Sequence, residues 1–276
     1  MAATDFNGDG NLDLVVTLPF DGIGGNRFVV LLGNGNGTFQ AHKSFAEPRF
    51  VYNVALCPLT KGGHPSIALS AGITSTDVYL FYGNGTGGFS GPHEVYLPGG
   101  TGIAVGDVNG DGIPDLVSST GYIALGTASG RFESPIYNPV QDSPASSYNV
   151  VLADLRNNGL TDIVADNYSG ISVLLNLGKG KYEDGEWTTV TGGAGCGAAA
   201  DFNGDGKPDL AVSTSTGISI LLGTGKAKSP FTAGATIAVQ GAACVVTGDL
   251  NGDGIPDLLV PVNGSPKVPG HALRVA

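Results

Sequence analysis

Apolar residues in this chain come in short runs of four to seven, and Gly, Asn and Asp separate the runs at regular intervals. Runs such as LDLVVT, PDLVSS, TDIVAD, PDLAVS and PDLLVP follow acidic turns, and a further set (RFVVLLG, VYLFYG, YIALG, ISVLLNLG, ISILLG) follows these. Short β-branched and apolar runs bounded by turn residues predict strands, and no stretch carries ten or more residues of helical period. Each second set closes on a Gly-rich turn and an aromatic: GNGNGTF, GNGTGGF, GTASGRF, GKGKY. Runs of small residues precede the acidic turns, as in GIAVG and GCGAAA, and a weaker fourth segment completes each unit. The expected unit is a four-stranded antiparallel meander.

The acidic turns set the period. DFNGDGNLD starts at Asp5, DVNGDGIPD at Asp107, DLRNNGLTD at Asp154, DFNGDGKPD at Asp201 and DLNGDGIPD at Asp249, while a stripped copy, PLTKGGHPS, starts at Pro58. The starts are 53, 49, 47, 47 and 48 residues apart. A period of this size marks a repeat architecture, and four strands per unit is the pattern of a β-propeller blade. The fold class expected is therefore all-β: one β-propeller domain over residues 1–276, with about six four-stranded blades, or an incomplete seven-bladed ring. MAAT leaves room for only a stub of a first strand, and LLVPVNGSPKVPGHALRVA supplies a second strand and a third at HALRVA.

The turns also carry chemistry. In D-x-N-x-D-G-x-x-D, oxygen-bearing side chains stand at loop positions 1, 3, 5 and 9, and the glycine at position 6 allows a sharp backbone turn. Hard cations such as calcium take about 6–8 oxygen ligands, with backbone carbonyls among them. The expected ligands are Asp5, Asn7, Asp9, Asn11 (carbonyl) and Asp13; Asp107, Asn109, Asp111, Ile113 (carbonyl) and Asp115; Asp201, Asn203, Asp205, Lys207 (carbonyl) and Asp209; and Asp249, Asn251, Asp253, Ile255 (carbonyl) and Asp257. That makes about four calcium sites. Neither Cys nor His lies in these loops, which disfavours zinc. An EF-hand fails too, because position 12 is Val16, Ser118, Val212 or Val260 rather than Glu, and the flanks are strand-like.

Two copies depart from the pattern. The loop at Pro58 has no carboxylate and is expected to bind nothing. The loop at Asp154 keeps Asp154, Asn158, Leu160 (carbonyl) and Asp162 but places Arg156 at position 3. Its guanidinium either pairs with the two aspartates in the cation's place or swings outward and leaves a weak site; no calcium is the expectation, since a cation beside the site opposes a second one.

The combination of DxNxDGxxD, a following DLxV strand and a GNGxGxF turn resembles the FG-GAP/VCBS repeat, known from the N-terminal propeller of integrin α subunits and from bacterial surface proteins. The resemblance covers essentially the whole chain, with the second and fourth repeats degenerate. It implies a calcium-bearing propeller that is secreted or at the cell surface and works in adhesion or ligand binding. It names no single ligand.

Composition fits this picture. The chain has 24 Asp and Glu against 13 Lys and Arg, a net charge of −11; the acidic loops hold 14 of the acids, so without them bases outnumber acids. The acidity belongs to the loops, and the balance argues against nucleic acid as partner. No run approaches a membrane span. MAATDFNGDG has neither a basic start nor an apolar core, so for an exported protein the expectation is that a leader lies outside this segment. No G-x-S-x-G elbow is present and the four histidines are scattered, so no enzyme is expected.

The function expected is thus a non-enzymatic calcium-stabilised module that binds a protein or glycan. The alternative is a propeller lectin, with rings at Tyr52, Tyr148 or Trp187 stacking on sugars between blades; a polysaccharide lyase ranks last. Cys196 and Cys244 each stand five residues before their loop's first Asp. Both are expected to be buried thiols, too far apart across neighbouring strands for a disulfide.

Overall fold

The computed structural model describes residues 2–18, 27–46, 51–71, 77–99, 101–138, 149–167, 169–249, 253–262 and 272–273. It contains six antiparallel sheets, and no helix occurs among the described residues. The all-β fold class expected from the periodicity is the one found. Two compact units divide the chain, Met1–Asn138 and Pro139–Ala276, with three sheets each.

In the first unit, blade 1 runs β1 (Ala2–Thr4), β2 (Asp13–Leu18), β3 (Arg27–Leu31) and β4 (Lys43–Ala46). Blade 2 runs β5 (Val51–Pro58), β6 (Pro65–Ala71), β7 (Asp77–Gly83) and β8 (Phe89–Tyr96). Blade 3 runs β9 (Ile103–Gly106), β10 (Asp115–Ser118), β11 (Tyr122–Ala124) and β12 (Ile136–Tyr137). In the second unit, blade 4 holds β13 (Val150–Ala153), β14 (Asp162–Asn167), β15 (Gly170–Gly178) and β16 (Lys181–Asp184), with β17 (Thr188–Thr189) also paired to β15. Blade 5 holds β18 (Gly197–Ala200), β19 (Asp209–Thr214), β20 (Gly217–Gly223) and β21 (Phe231–Ala238). Blade 6 shows β22 (Val246–Gly248), β23 (Asp257–Leu259) and β24 (Ala272–Leu273).

Within each sheet the strands pair in chain order, as a meander. The short first strand at Ala2–Thr4 and the third strand within HALRVA both form as the sequence suggests. First strands of successive blades lie against each other, β1 by β5 by β9 in one unit and β13 by β18 by β22 in the other.

Both faces of a middle sheet are buried, which explains why its strands read as continuous apolar runs. In blade 2, Ile67, Leu69, Tyr79 and Phe81 pack toward blade 1 against Phe6, Phe28 and Val30. The alternate residues Ala68, Val78 and Leu80 pack toward blade 3 against Ile103 and Leu116. Blade 5 repeats the division, with Leu210 and Val212 toward blade 4 and Ala211, Ile218 and Ile220 toward blade 6. The core is thus a set of layers between blades. Residue 2 of every described loop except the last feeds it, since Phe6, Leu59, Val108, Leu155 and Phe202 are all buried.

One expectation is corrected here. Cys196 and Cys244 form a disulfide with their Cα atoms 4.7 Å apart. The cysteines immediately precede the region where β18 and β22 adjoin, and Gly195, Gly197 and Ala243 leave no bulk to separate them. Cys57 remains a free, half-buried thiol.

Candidate metal loops

Each acidic loop joins the first and second strands of its blade. Its first aspartate organises the turn. Asp5 Oδ1 accepts the N–H groups of Asn7 (3.2 Å), Gly8 (2.7 Å) and Asp9 (3.3 Å), and Oδ2 accepts that of Gly10 at 2.8 Å. These bonds, led by Gly10, hold the Asp5 carboxyl below its ordinary range. Asn7 Oδ1 accepts the Asp9 N–H at 3.0 Å and Asp9 Oδ1 that of Asn11 at 2.8 Å, so the side chains at positions 1, 3 and 5 fold over one turn. Gly8 and Gly10 take φ of 76° and 84°, left-handed values that suit glycine.

The other intact loops repeat this arrangement. Asp107 holds Asn109, Gly110 and Gly112, and Asp201 holds Gly204, Asp205 and Gly206. Asp249 holds Asp253 and Gly254, while Asp253 accepts the Ile255 N–H; Asn251 lies outside the described residues. The fifth-position carboxylate finds a further partner in its own loop: Asn7 Nδ2 donates to Asp9 (2.9 Å) and Asn109 Nδ2 to Asp111 (3.1 Å), whereas Lys207 Nζ pairs with Asp205 at 2.9 Å. The lysine, chiefly through its side-chain hydrogen bond, lowers the Asp205 carboxyl.

Position 9 has a second role that the spacing does not reveal. Asp13, Asp115 and Asp209 are fully buried, and each accepts two backbone N–H groups from different parts of the blade. One donor is residue 2 of the loop: Phe6 at 2.8 Å, Val108 at 2.9 Å and Phe202 at 3.1 Å. The other is the glycine after or at the end of the third strand: Gly33 at 2.7 Å, Gly126 at 2.8 Å and Gly223 at 2.7 Å. That glycine is required, because a Cβ there would strike the carbonyl of loop residue 8 (Leu12, Pro114 or Pro208). Burial raises the Asp115 carboxyl to about 6 and also raises that of Asp209.

Both degenerate loops keep the third-strand half of this staple, Ser66 with the Gly83 N–H and Asp162 Oδ1 with the Asn176 N–H at 2.7 Å. Ser66, at position 9 of the Pro58 loop, accepts the Gly83 N–H at 3.0 Å and donates to the His64 carbonyl at 2.9 Å. In the Asp154 loop, Arg156 turns inward: Nη2 donates to Asp162 Oδ1 at 2.9 Å and to the Asn176 carbonyl at 2.6 Å, and none of its bonds goes to Asp154. Asp154 still accepts from Asn158 and Gly159, and Asn158 from Leu160. Asn176 replaces the usual glycine, and its Nδ2 reaches the loop carbonyl of Thr161 at 2.9 Å.

As a metal site the donor set is coherent but open. Oxygens at positions 1, 3 and 5 share one turn and suit a hard cation. At position 9, Asp13, Asp115 and Asp209 are turned inward, each of their oxygens already accepting one backbone bond. No three His, Cys, Asp or Glu side chains form a closed metal cluster among the described residues.

The aromatic candidates are not brought together. Tyr148 lies outside the described residues, Tyr52 stands on β5 with its side chain undescribed, and half-buried Trp187 covers the backbone of Gly170. A different cleft opens between blades 2 and 3, with a volume of about 570 Å³ and walls that include Tyr82, His93, Glu94, Arg131 and Phe132. The rings of Tyr82 and His93 meet edge to face at 5.2 Å, and Tyr82 Oη is tied to the Gly130 carbonyl at 2.5 Å. Sequence reasoning missed this group because its members come from two repeats and share no motif.

No curated protein matches the chain in sequence. Among solved structures it is similar to an Agrocybe aegerita lectin described as specifically recognising non-reducing terminal N-acetylglucosamine, at TM-score 0.62 and 20% identity over 94% of this chain and 73% of that one. It is also similar to BBS1N, solved in complex with ARL6DN, at TM-score 0.59 and 11% identity over 95% of this chain and 75% of that one. A Photorhabdus luminescens Tc holotoxin structure matches at TM-score 0.51 and 17% identity, over 99% of this chain but 14% of that one. At such identities the likeness concerns the fold. The family model for the FG-GAP-like repeat matches residues 5–69, 63–118, 154–212 and 201–260, each match ending on, or one residue past, the second strand of a blade. With the propeller blades and their recurring loops, this makes the chain a member of the FG-GAP-like repeat family.

Proposed function

We propose that the chain is a calcium-stabilised, non-enzymatic binding propeller that works outside the cell. The observation that carries the reading is the recurrence of one oxygen-only turn in four blades, with the side chains at positions 1, 3 and 5 over the same loop wherever they are described. Bound calcium would neutralise carboxylates that otherwise repel one another and would fix the hairpin between first and second strands. Asp5, Asn7 and Asp9, with their counterparts in the other loops, would hold it. The Cys196–Cys244 disulfide supports an oxidising compartment. Calcium titration calorimetry on the metal-stripped chain tests the reading: about four ions are expected, and no binding at millimolar calcium would refute it.

A glycan is the ligand class favoured for the binding function. The cleft between blades 2 and 3 offers ring faces beside a carboxylate and a guanidinium, which suits a hydroxylated ring. The likeness in fold to a sugar-binding lectin is consistent with this choice. A glycan array probed with the wild type and with His93→Ala plus Arg131→Ala is the test. Signals lost in the double variant support the cleft; signals that persist place glycan binding elsewhere, and an array without signals leaves a protein partner as the reading.

A further inference from the structure

Two of the intact loops have an ammonium group at close quarters, and one has none. Lys61, at position 4 of the degenerate Pro58 loop, crosses from blade 2 to the next loop and donates to the Asp111 carbonyl at 3.5 Å. It stands so close to Gly112 that a Cβ there would lie 2.9 Å from Nζ. Lys207, at position 7 of the Asp201 loop, pairs with Asp205 Oδ2 at 2.9 Å. By contrast Asp5 and Asp9 take their bonds within their own loop, and no Lys or Arg reaches them among the described residues. Asn157, also at position 4 of a degenerate loop, makes a crossing like that of Lys61, donating to the Gly206 carbonyl at 2.5 Å, but it brings no charge.

We propose that the metal loops are unequal by construction: the Asp5 loop is the tight calcium site, while Lys61 and Lys207 guard the Asp107 and Asp201 loops and weaken them. On this view the stripped loop of blade 2 is a charged arm that sets the metal affinity of its neighbour. The inference rests on the reading of these loops as calcium sites. A fixed positive charge a few ångströms from a divalent ion in a solvent-exposed loop weakens its binding by about three- to tenfold.

The test is calcium titration calorimetry on the metal-stripped wild type, Lys61→Gln, Lys61→Arg, Lys207→Gln and the double glutamine variant. Every variant keeps its backbone carbonyl, and circular dichroism verifies the fold of each. The wild type should show one tight class and a weaker class. Each single glutamine variant should tighten one weak site about three- to tenfold at low salt. The double variant should tighten two sites, and Lys61→Arg, which keeps the charge, should tighten none. The gain should shrink as salt rises. Equal sites in the wild type, or unchanged affinities in both glutamine variants, would overturn the guarding while leaving the calcium reading in place. Absence of calcium binding in every protein would overturn both.

Discussion

Asp209 illustrates how one side chain serves the loop and the blade together. Its buried oxygens accept the N–H groups of Phe202 and Gly223, so removal orphans two donors away from water. A buried N–H without a partner costs about 1–3 kcal/mol, so Asp209→Ala should lower stability by about 2–4 kcal/mol in urea titrations. Performed in EDTA, the measurement excludes any lost metal contact. Asp115 adds a pH signature. Its carboxyl, raised from 3.8 to about 6 by burial and then by Asp111 and Asp107, favours the protonated form in the folded state. The folded state therefore holds the proton over a range where the unfolded chain has released it, and this contribution is full below the unfolded value and lost as pH rises through the folded one. In EDTA, wild type should lose up to about 2 kcal/mol relative to Asp115→Asn between about pH 4 and 6.5, solvent screening trimming the full shift; parallel pH profiles would contradict the assignment. The repeating Asp at position 9 is legible in the sequence, but its staple role is not. The clue lay in what the degenerate copies keep: an apolar residue at position 2 and a hydrogen-bonding residue, Ser66 or Asp162, at position 9.

Among the elements, the strands and turns were the most legible, because the blade buries both faces of a sheet and so writes unbroken apolar runs between Gly-rich corners. Contacts between blades were not legible. The equal spacing of Cys196 and Cys244 from their loops puts them in register, yet only the adjoining of β18 and β22 brings them within 4.7 Å. By the chain-entropy estimate for a loop of 48 residues, Cys196→Ser should cost about 4 kcal/mol, read as a lower urea midpoint. A midpoint that does not move would remove the bond from the account. The Asp154 loop gives the complementary case. There Arg156 bonds to Asp162 and Asn176, while the turn made by Asp154 and Asn158 survives. Arg156→Asn should therefore add one bound calcium in equilibrium dialysis. An unchanged stoichiometry would mean that the arginine is not what closes the loop to metal.

Across the molecule, charge and repeat are two views of one feature, since most of the acidity sits in loops that recur at the blade period. Four divalent ions would bring the net charge of −11 to −3 and relieve repulsion within each loop. A ligand that binds only the folded state stabilises it by about 2.7 kcal/mol at a hundredfold excess over its Kd. For a chain of this size about 1 kcal/mol moves the melting temperature by about 2–4 °C. Several sites filled together should therefore move it by more than about 10 °C. The direct measurement is differential scanning calorimetry of the wild-type chain in millimolar calcium and again in EDTA. A melting temperature lower by more than about 10 °C in EDTA and restored by added calcium is the predicted result, and the same melt in both conditions would contradict the claim that calcium in the loops holds the blades.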